Sequence, residues 1–257
     1  MSDEALDQVR ALAERAGVFL DFDGTLSEIA AVPEAAVAIP GAAETLEGLA
    51  RRFRLVALVT GRQVAEVERR MGRPEGVRVF GLYGLERDSG DEPSSRASAP
   101  GSRAVEEVLP RVLEIAAGIP GSLVEPKGPN LAVHYRLSPD PEAARAGLVR
   151  ALEPLAQGAG LKLIEGKKVL ELVPFRSPSK GDVVAREAAG LQAVLYAGDD
   201  AADIQAFAAL DELAQRGVRT VKVAVRSAET PPGLLEAADL AVEGPAGLLG
   251  MLRGLLG

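Results

Sequence analysis

Short apolar runs rich in Val and Leu recur along the chain, and most of them are closed by Gly, Asp or Thr and followed by a helical pattern. The runs cover residues 18–22, 55–60, 77–82, 193–197 and 221–225. Strands that are apolar throughout are buried on both faces, and their alternation with helices is typical of a parallel sheet. The sequence therefore predicts an α/β fold in which helices cover a doubly wound parallel sheet.

Polar residues follow three of these runs at the point where each run ends. Asp21 and Asp23 close the first run, Thr60 closes the second, and residues 198–200 (Gly-Asp-Asp) follow the fourth. Ligands of doubly wound sheets bind beyond the carboxyl ends of the strands. We therefore expect these residues to converge on one edge of the sheet and to form a functional site there.

The first polar group, 21–26 (Asp-Phe-Asp-Gly-Thr-Leu), carries two carboxylates that share a face, because alternate residues of a strand point the same way. Paired carboxylates repel each other unless a cation or a shared proton lies between them. Mg²⁺ suits a site with few carboxylates, substrate phosphate and water, and Gly24 permits a close approach of the backbone to an anion. The alternative is an Asp N-cap on the next helix, which needs one Asp and not two.

The second polar group, 198–203 (Gly-Asp-Asp-Ala-Ala-Asp), is also acidic. We expect Asp199 to lie in the turn facing the first group, whereas Asp200 and Asp203 could share a helix face through their three-residue spacing. The alternative for this group by itself is a capped helix start. Two acidic strand ends in one chain favour a cation site over two helix caps.

Two weaker signals accompany the acidic groups. Thr60-Gly61-Arg62 leads into a helix near Gln63, and a hydroxyl with free backbone N–H groups at a helix N-terminus can bind an anion. Lys180 opens a helix after Ser177-Pro178-Ser179. Each signal has an ordinary alternative, a helix cap for Thr60 and a solvated surface side chain for Lys180.

The middle of the chain has a different pattern. A Ser/Pro/Gly-rich linker over 88–101 is followed by a helix at 104–117, strands at 122–126 and 130–136, a helix at 141–157, and a hairpin of 161–164 with 168–173. This order describes a small antiparallel α+β unit inserted between core strands. We expect a core domain of residues 1–101 and 176–257 and an inserted cap domain of residues 102–175.

Composition excludes several classes of protein. The 257 residues contain no Cys and a single His, His134, which excludes disulfide frameworks, thiolate zinc sites and His-rich metal sites. The net charge of -8 and the scattered basic residues argue against a nucleic-acid partner. The first residues lack the basic start of a secretory signal, and no apolar run reaches the roughly 20 residues that span a bilayer. We expect a cytoplasmic protein without a membrane partner.

Taken in chain order, the Asp-x-Asp group, Thr60, Lys180 and the Asp-Asp-x-x-Asp group resemble the four motifs of the haloacid dehalogenase-like phosphatases. The resemblance implies phosphoryl transfer through an aspartyl-phosphate on Asp21. Asp23 would protonate the leaving alcohol and then activate water, while Thr60 and Lys180 would bind the transferring phosphoryl oxygens.

The same resemblance implies Mg²⁺ as cofactor. The metal would lie between the side chain of Asp21, the carbonyl of Asp23 and Asp199. Asp200 and Asp203 would hold the metal's waters and Lys180 without binding the metal. The further substrate contacts expected in the core are Gly24, Gly61 and Arg62.

The insert resembles the cap of trehalose-6-phosphate phosphatases. Residues 125–136 (EPKGPNLAVHYR) are similar to the ExK…HYR stretch of that family, and 167–171 (KKVLE) to its later cap strand. The resemblance implies hydrogen bonds from Glu125, Lys127 and Glu171 to sugar hydroxyls, whereas His134 is expected to have a structural role. The remaining cap residues expected to bind substrate are Asn130 and Arg136.

Two departures from the family pattern stand out. The fourth motif has the form GDDxTDExxF in the family, whereas this chain has GDDAADIQAF at 198–207. Tyr83 occupies the place where the family has His, in the loop GLYGLE. Both departures spare the residues expected to perform the phosphatase chemistry.

The function that we expect is Mg²⁺-dependent hydrolysis of trehalose 6-phosphate, together with a functional link to a trehalose-6-phosphate synthase. The alternatives are a phosphatase for another sugar phosphate, such as a glycosyl-phosphoglycerate or sucrose phosphate, a sugar-phosphate mutase, and a catalytically silent module that binds a sugar phosphate. A larger anionic substrate would need extra basic residues on the cap, and a mutase would have to keep water from the phosphoryl group.

Overall fold

The computed structural model of the chain describes residues 2–30, 35–88 and 102–257. The chain divides into two compact units, Met1–Asp88 with Pro178–Gly257, and Ser89–Ser177. Apart from Asp88, the expected linker at 88–101 lies outside the described residues, as does the expected domain boundary at residue 101. No helix in the described ranges is both long and apolar enough to cross a membrane.

The first unit alternates strands and helices on both sides of the insertion. In chain order its elements are α1 (Ser2–Ala11), β1 (Ala16–Leu20), α2 (Ala42–Arg52), β2 (Leu55–Val59), α3 (Val64–Met71), β3 (Val77–Gly81) and β4 (Glu86–Arg87). The second unit follows β4 in the chain. After it the first unit continues with α6 (Lys180–Glu187), β9 (Ala193–Gly198), α7 (Asp203–Gln215), β10 (Arg219–Arg226), α8 (Pro232–Ala237), β11 (Leu240–Glu243) and α9 (Gly244–Gly254).

The described strands of the first unit form one sheet in the order β11-β10-β9-β1-β2-β3-β4. Every neighbouring pair is parallel except β3 with β4. Strands β1, β2 and β9 are buried along their whole length, as their uninterrupted apolar sequences predict. The predicted doubly wound parallel sheet is confirmed, with an antiparallel edge strand that the sequence did not indicate.

Helices cover both faces of this sheet because successive strand residues point to opposite sides. On one face, Val18 and Leu20 of β1 pack in a core with residues of α1, α2 and α9. On the other face, Phe19 of β1 packs in a core with residues of α6, α7 and α8. Strand β1 therefore lies between two separate apolar cores, one on each face of the sheet.

The first strand ends two residues earlier than predicted. The sequence indicated residues 18–22, whereas β1 ends at Leu20. The amide of Asp21 still donates to the Ala197 carbonyl of β9 at 2.9 Å, but the Phe22 carbonyl then accepts from the amides of Leu26 and Ser27 at 2.8 and 3.1 Å. This tight turn takes the chain out of the sheet directly after Asp21.

The second unit contains a four-stranded antiparallel sheet in the order β5-β6-β8-β7. Its elements are α4 (Ser102–Ala117), β5 (Leu123–Pro126), β6 (Leu131–His134), α5 (Pro141–Gly158), β7 (Leu161–Gly166) and β8 (Val169–Pro174). One face of the sheet, including Leu131, Val133 and Leu172, packs against α4 and α5 in its own apolar core. The predicted antiparallel α+β insert and its hairpin are confirmed.

Candidate active site

The carboxyl ends of the three central strands bring together the acidic residues of the first unit. Because β1 lies between β9 and β2, Asp21 follows the middle strand and Asp199 follows its neighbour. One oxygen from each of Asp21, Asp199 and Asp203 lies within 4.8 Å of the other two. All three residues are buried, at 5%, 1% and 0% exposure. The carboxyl-end edge of the sheet, where the sequence predicted a functional site, thus carries a cluster of buried carboxylates.

Lys180 enters this cluster as the first residue of α6. Ser179 caps that helix, because its side chain accepts from the Asp182 amide while the Asp182 side chain accepts from the Ser179 amide. This reciprocal arrangement fixes where the helix begins. The Nζ atom of Lys180 lies 2.9 Å from Asp21 Oδ1 and 2.7 Å from Asp203 Oδ1. The weak signal of a Lys at a helix start therefore marks a buried cation in the site.

Asp203 is a hub of hydrogen bonds. Its Oδ1 accepts from Lys180 Nζ at 2.7 Å and from the Tyr196 hydroxyl at 2.6 Å. Its Oδ2 accepts from the Asp199 and Asp200 amides at 3.0 and 2.9 Å. With both oxygens occupied by donors from the chain, Asp203 holds Lys180 and the Asp199 turn in place and is a poor candidate for a metal ligand.

Asp200 lies outside the helix that the sequence suggested for it. Helix α7 begins at Asp203, so Asp200 belongs to the preceding turn, where its Oδ1 accepts from the Ala201 amide at 2.7 Å. The expectation that Asp200 and Asp203 share a helix face is wrong. The reason is that the Asp203 carboxylate binds the turn amides in front of it, which keeps residues 199–202 in a turn.

Burial and charge shift the pKa values of the cluster in a consistent pattern. Burial raises the pKa of Asp21 well above its ordinary value, with Asp203 and Asp199 adding to the shift and Lys180 opposing it. Burial would lower the pKa of Lys180, but Asp203 and Asp21 raise it above its usual value. Burial, followed by Asp203, raises the pKa of Tyr196. Lys180 is therefore a permanent cation, and Tyr196 keeps the proton that it donates.

Gly24 allows Asp199 to enter the site. Its φ of +70° lies in the left-handed region, and a Cβ at this position would overlap the Asp199 carboxylate. A residue with a side chain would be strained in its backbone and would displace Asp199. The geometry thus gives Gly24 a role in admitting the carboxylate of a neighbouring strand end.

Asp23 pairs with Arg62 across the edge of the sheet. The Nε of Arg62 donates to Asp23 Oδ2 and its Nη2 donates to Asp23 Oδ1, both at 2.7 Å. The side chain of Arg62 is 8% exposed and that of Asp23 is 41% exposed. This two-point pairing fixes the orientation of the carboxylate. Arg62, expected as a substrate contact, is placed by the structure against the expected acid–base residue.

Thr60 lies beside this pair at the end of β2. Its hydroxyl oxygen accepts from the Arg62 amide at 3.2 Å, and the residue is 1% exposed. Since a hydroxyl has one hydrogen to donate as well as lone pairs to accept, this contact leaves the Thr60 hydrogen for another acceptor. Helix α3 follows from Val64 with Gln63 as its N-cap, close to the predicted start.

The residues at the edge fit a divalent cation. Three buried carboxylates face one ammonium group, and Asp203 is engaged by its own donors. The oxygens of Asp21 and Asp199 would therefore be the donors to a metal ion bound here. Close carboxylates of this kind need a compensating cation, and oxygen donors suit Mg²⁺.

The second unit holds a separate polar cluster on its sheet. Glu125 pairs with Ala132 and Ala132 with Glu171 across three strands, which places both carboxylates on the face opposite the apolar core. Lys127 Nζ lies 2.8 Å from Glu171 Oε1 and 3.7 Å from Glu125 Oε2. The other Glu171 oxygen is buried and makes no hydrogen bond within the described residues. The structure therefore brings together the three residues expected to bind sugar.

The other residues expected in this unit have distinct environments. Asn130 is fully buried, and neither its amide nitrogen nor its amide oxygen has a hydrogen-bond partner in the described part of the chain. Arg136 donates to the Lys167 carbonyl at 3.1 Å. His134 Nε2 lies 2.8 Å from Glu125 Oε2, so the residue expected to be structural contacts a member of the polar cluster.

Two contacts of the candidate site were not predicted from the sequence. The Tyr196 hydroxyl on Asp203 had an available signal, because a tyrosine inside an otherwise apolar strand needs a partner for its hydroxyl. The carboxylate of Glu86, which accepts from the Val64 amide at 2.8 Å, had none, since it depends on how β4 pairs with β3.

Known proteins with similar sequences match most of this chain. The family model for trehalose-phosphatase matches residues 19–233. A trehalose-phosphate phosphatase of Mycobacterium marinum is 34% identical over 242 residues, which cover 90% of this chain and 59% of that protein. An uncharacterized glycosyl hydrolase of Mycobacterium tuberculosis is 35% identical over 207 residues, which cover 76% of this chain and 15% of that protein. The chain spans less than two thirds of the length of these curated relatives.

Solved structures show the same fold. The C-terminal domain of a Candida albicans trehalose-6-phosphate phosphatase matches with a TM-score of 0.84 at 23% identity, covering 100% of this chain and 97% of that one. An Aspergillus fumigatus trehalose-6-phosphate phosphatase matches with a TM-score of 0.66 at 25% identity, with coverage of 100% and 97%. A haloacid dehalogenase-like hydrolase from Bacteroides thetaiotaomicron matches with a TM-score of 0.58 at 17% identity, covering 93% of this chain and 99% of that one. The predicted haloacid dehalogenase-like fold is confirmed.

Proposed function

This chain belongs to the trehalose-phosphatase family, and on that premise we propose that it is a Mg²⁺-dependent phosphatase that converts trehalose 6-phosphate and water into trehalose and phosphate. The observation that carries the proposal is the buried pairing of Asp21 with Lys180 at 2.9 Å beside Asp199. Such a carboxylate, shielded from water and aligned by a fixed ammonium group, is suited to act as a nucleophile toward an anionic phosphate ester.

In the first step an oxygen of Asp21 attacks phosphorus. A P–O bond to Asp21 forms while the bond between phosphorus and the sugar oxygen breaks, which leaves an aspartyl-phosphate on the chain. The Nζ of Lys180 and the hydroxyl of Thr60 donate to the phosphoryl oxygens, where charge is concentrated during transfer. Asp203 keeps Lys180 oriented throughout.

Asp23 supplies and removes the protons. When protonated, it gives its proton to the departing sugar oxygen; as a carboxylate, it then takes a proton from the water that attacks phosphorus and releases phosphate from Asp21. Both Asp23 oxygens accept from Arg62 in this structure, and a carboxyl O–H cannot donate to a guanidinium. One of the two hydrogen bonds must therefore open before Asp23 acts as an acid, which makes Arg62 the group that orients Asp23.

Mg²⁺ would be held by the side chains of Asp21 and Asp199 and by the main-chain carbonyl of Asp23, and it would neutralise charge on the phosphoryl group and on the carboxylates. Burial, with Asp203 and Asp199 adding to it, raises the pKa of Asp21 against the opposing effect of Lys180. A second cation beside this carboxylate would therefore stabilise its ionised form. The glycine at position 24 leaves room for Asp199 to take part.

The second unit would select the sugar. The buried, unpartnered oxygen of Glu171 and the unpartnered amide of Asn130 are unfavourable unless a ligand binds them. Together with Glu125 and Lys127 they offer both donors and acceptors, which suits a neutral polyhydroxylated sugar. The names of relatives such as the Mycobacterium marinum trehalose-phosphate phosphatase support trehalose as that sugar. A trehalose-6-phosphate synthase would then supply the substrate.

The covalent step gives the proposal a direct test. The protein is mixed with Mg²⁺ and phosphate-labelled substrate, quenched in acid during turnover, and digested for mass spectrometry. We expect labelled phosphate on Asp21 and none in Asp21→Asn. Label retained in Asp21→Asn, or hydrolysis by that variant at the native rate, would overturn the assignment of the nucleophile.

A further inference from the structure

The loop between β3 and β4, residues 82–85, has a backbone that L-amino acids rarely adopt. Leu82 and Tyr83 have φ values of +50° and +59°, and Gly84 follows at +99°. Consecutive non-glycine residues in the left-handed region are unfavourable and persist only where surrounding contacts hold them. Residues in such conformations concentrate at functional sites. Three sets of contacts hold this loop.

The first set of contacts joins the loop to the turn that carries Thr60. The Tyr83 amide donates to the Thr60 carbonyl at 2.9 Å, and the Leu82 amide donates to the Arg62 carbonyl at 2.9 Å. Directly after the loop, the Glu86 carboxylate accepts from the Val64 amide at 2.8 Å. Two backbone amides of the loop and the side chain that follows it therefore hold residues 60–64, the Thr60 turn.

The second contact is the ring of Tyr83 against Gly61. A Cβ on Gly61 would lie 2.8 Å from both the Cζ and the hydroxyl oxygen of Tyr83, a distance too short for real Cβ contacts. The far end of the ring thus covers the glycine between Thr60 and Arg62. The left-handed backbone of Tyr83 is what directs its side chain onto this glycine while its amide binds Thr60.

The third contact joins the loop to the helix that carries Lys180. A Cβ on Gly84 would overlap the Val183 side chain of α6 and lie 3.6 Å from the Pro178 side chain. Val183 is one turn along the helix from Lys180 and is fully buried. The loop is therefore wedged between the Thr60 turn and α6, the two elements that present the expected phosphate-binding groups.

We propose that Tyr83 is a positioning residue for the phosphoryl site: its ring, held by the strained β3–β4 loop, fixes the turn that presents Thr60 and Arg62. The proposal deepens the function proposed above and rests on it for the identity of the reaction. Through Arg62 the same contact reaches Asp23, so the loop would set the geometry of both the phosphate-binding hydroxyl and the acid–base carboxylate. A displacement of the turn by a fraction of an ångström would slow transfer without unfolding the protein.

The test compares Tyr83→Phe, Tyr83→Ala and Tyr83→Gly in the full chain. We expect Tyr83→Phe to keep kcat for p-nitrophenyl phosphate within about 3-fold, because the ring still covers Gly61, and the Ala and Gly variants to lose roughly 10-fold to 100-fold in kcat. Glycine also relieves the left-handed backbone, so the Tm of Tyr83→Gly should stay within about 2 °C of the native value. Activity and stability then separate, which a merely structural role would not produce.

The matched control is Lys168→Gly in the second unit. Lys168 has the same left-handed φ of +59° and lies in the turn between β7 and β8. This substitution relieves equivalent strain without touching the β3–β4 loop, so we expect unchanged kcat with p-nitrophenyl phosphate.

Amide hydrogen exchange tests the positioning itself, whatever the reaction proves to be. In Tyr83→Ala and Tyr83→Gly the amides of Arg62 and Val64 should exchange at least about 10-fold faster, while those of α5 keep their native rates. Unchanged exchange at Arg62 and Val64, a Tyr83→Phe variant as impaired as Tyr83→Gly, or a Tm that falls in parallel with kcat would overturn the proposal. A native protein that hydrolyses no phosphate ester would overturn the proposed function instead, and the exchange rates would still decide the role of Tyr83.

Discussion

The buried carboxylate of Asp21, which we propose as the nucleophile, lowers the stability of the folded protein when it is ionised. Its carboxylate is buried beside Asp199 and Asp203, and this burial raises its pKa well above the ordinary value. Between its unfolded pKa of about 3.8 and its higher folded pKa, the folded chain binds more protons at this site than the unfolded chain does. The contribution of Asp21 to stability is therefore present below that window and is lost as the pH rises through it.

We predict that Asp21→Asn abolishes turnover yet raises the Tm of the metal-free protein at neutral pH. The amide removes a buried charge while its oxygen still accepts from Lys180, and the gain over the native protein should shrink as the pH falls toward 4. A gain of about 1 kcal/mol corresponds to roughly 2–4 °C for a chain of this size. Calorimetry from pH 4 to 8 in EDTA measures the difference.

Asp211→Asn serves as control for this measurement, because Asp211 is an exposed carboxylate on α7 that pairs with Lys222. It should shift the Tm little and without the same pH dependence. Mg²⁺ should raise the Tm of the native protein more than that of Asp21→Asn. A variant that is less stable than the native protein at every pH would show that the buried Asp21 carboxylate does not destabilise the folded protein.

Arg62 and Asp23 give a second prediction at this scale. Arg62→Lys keeps the positive charge but loses the planar fork that donates to both Asp23 oxygens. We expect kcat to fall roughly 10-fold to 100-fold as Asp23 loses its orientation, with the fold intact by circular dichroism. Arg69→Lys on the exposed face of α3 is the matched control and should have native kinetics. Native kcat in Arg62→Lys would show that the pair has no part in turnover.

At the scale of elements, the cap of helix α6 both stabilises the helix and positions Lys180, a residue that we propose for catalysis. The Ser179 capping box fixes the start of the helix, and Lys180 is its first residue. Ser179→Ala should cost about 1 kcal/mol of stability and should also lower kcat, because fraying of this turn moves the ammonium group away from Asp21.

Asp140→Ala separates the two effects in this prediction. Asp140 caps α5 in the second unit, where its side chain accepts from the Ala143 amide at 3.0 Å. Its loss should cost similar stability but leave hydrolysis of p-nitrophenyl phosphate unchanged. Equal kcat values for the two cap variants would mean that the α6 cap matters for folding alone.

The elements also show how far sequence reasoning reaches. The parallel core could be predicted because strands such as β2 are apolar along their whole length, and the insert because its strands alternate. The end of β1 could not be predicted, since it depends on hydrogen bonds from the Leu26 and Ser27 amides to the Phe22 carbonyl. The pair between Arg62 and Asp23 joins residues 39 positions apart and depends on the conformation of a turn, which no local pattern encodes.

At the scale of the whole molecule, the proposed chemistry and the proposed sugar recognition belong to different units. The groups proposed to react lie in Met1–Asp88 with Pro178–Gly257, whereas the Lys127–Glu171 cluster lies in Ser89–Ser177. This division could be anticipated from the changed pattern of the insert, but the unpartnered atoms of Glu171 and Asn130 appear only in three dimensions.

The division predicts that Glu171→Ala changes specificity and not chemistry. A lost hydrogen bond to a charged group should lower kcat/KM for trehalose 6-phosphate roughly 10-fold to 100-fold, while p-nitrophenyl phosphate is hydrolysed within about 3-fold of the native rate. Glu165→Ala, which removes an exposed carboxylate paired with Arg145, should affect neither substrate. Equal losses on both substrates would contradict a role in sugar recognition.

The most direct measurement of the central claim is kcat/KM for phosphate release from trehalose 6-phosphate, sucrose 6-phosphate, a glycosyl-phosphoglycerate and glucose 6-phosphate, with Mg²⁺ and with EDTA. We predict a clear preference for trehalose 6-phosphate that requires Mg²⁺ and disappears in Asp21→Asn. Preference for another sugar phosphate would contradict the proposed substrate while leaving the chemistry in place. A folded, Mg²⁺-loaded protein that releases phosphate from none of them would contradict the proposed function.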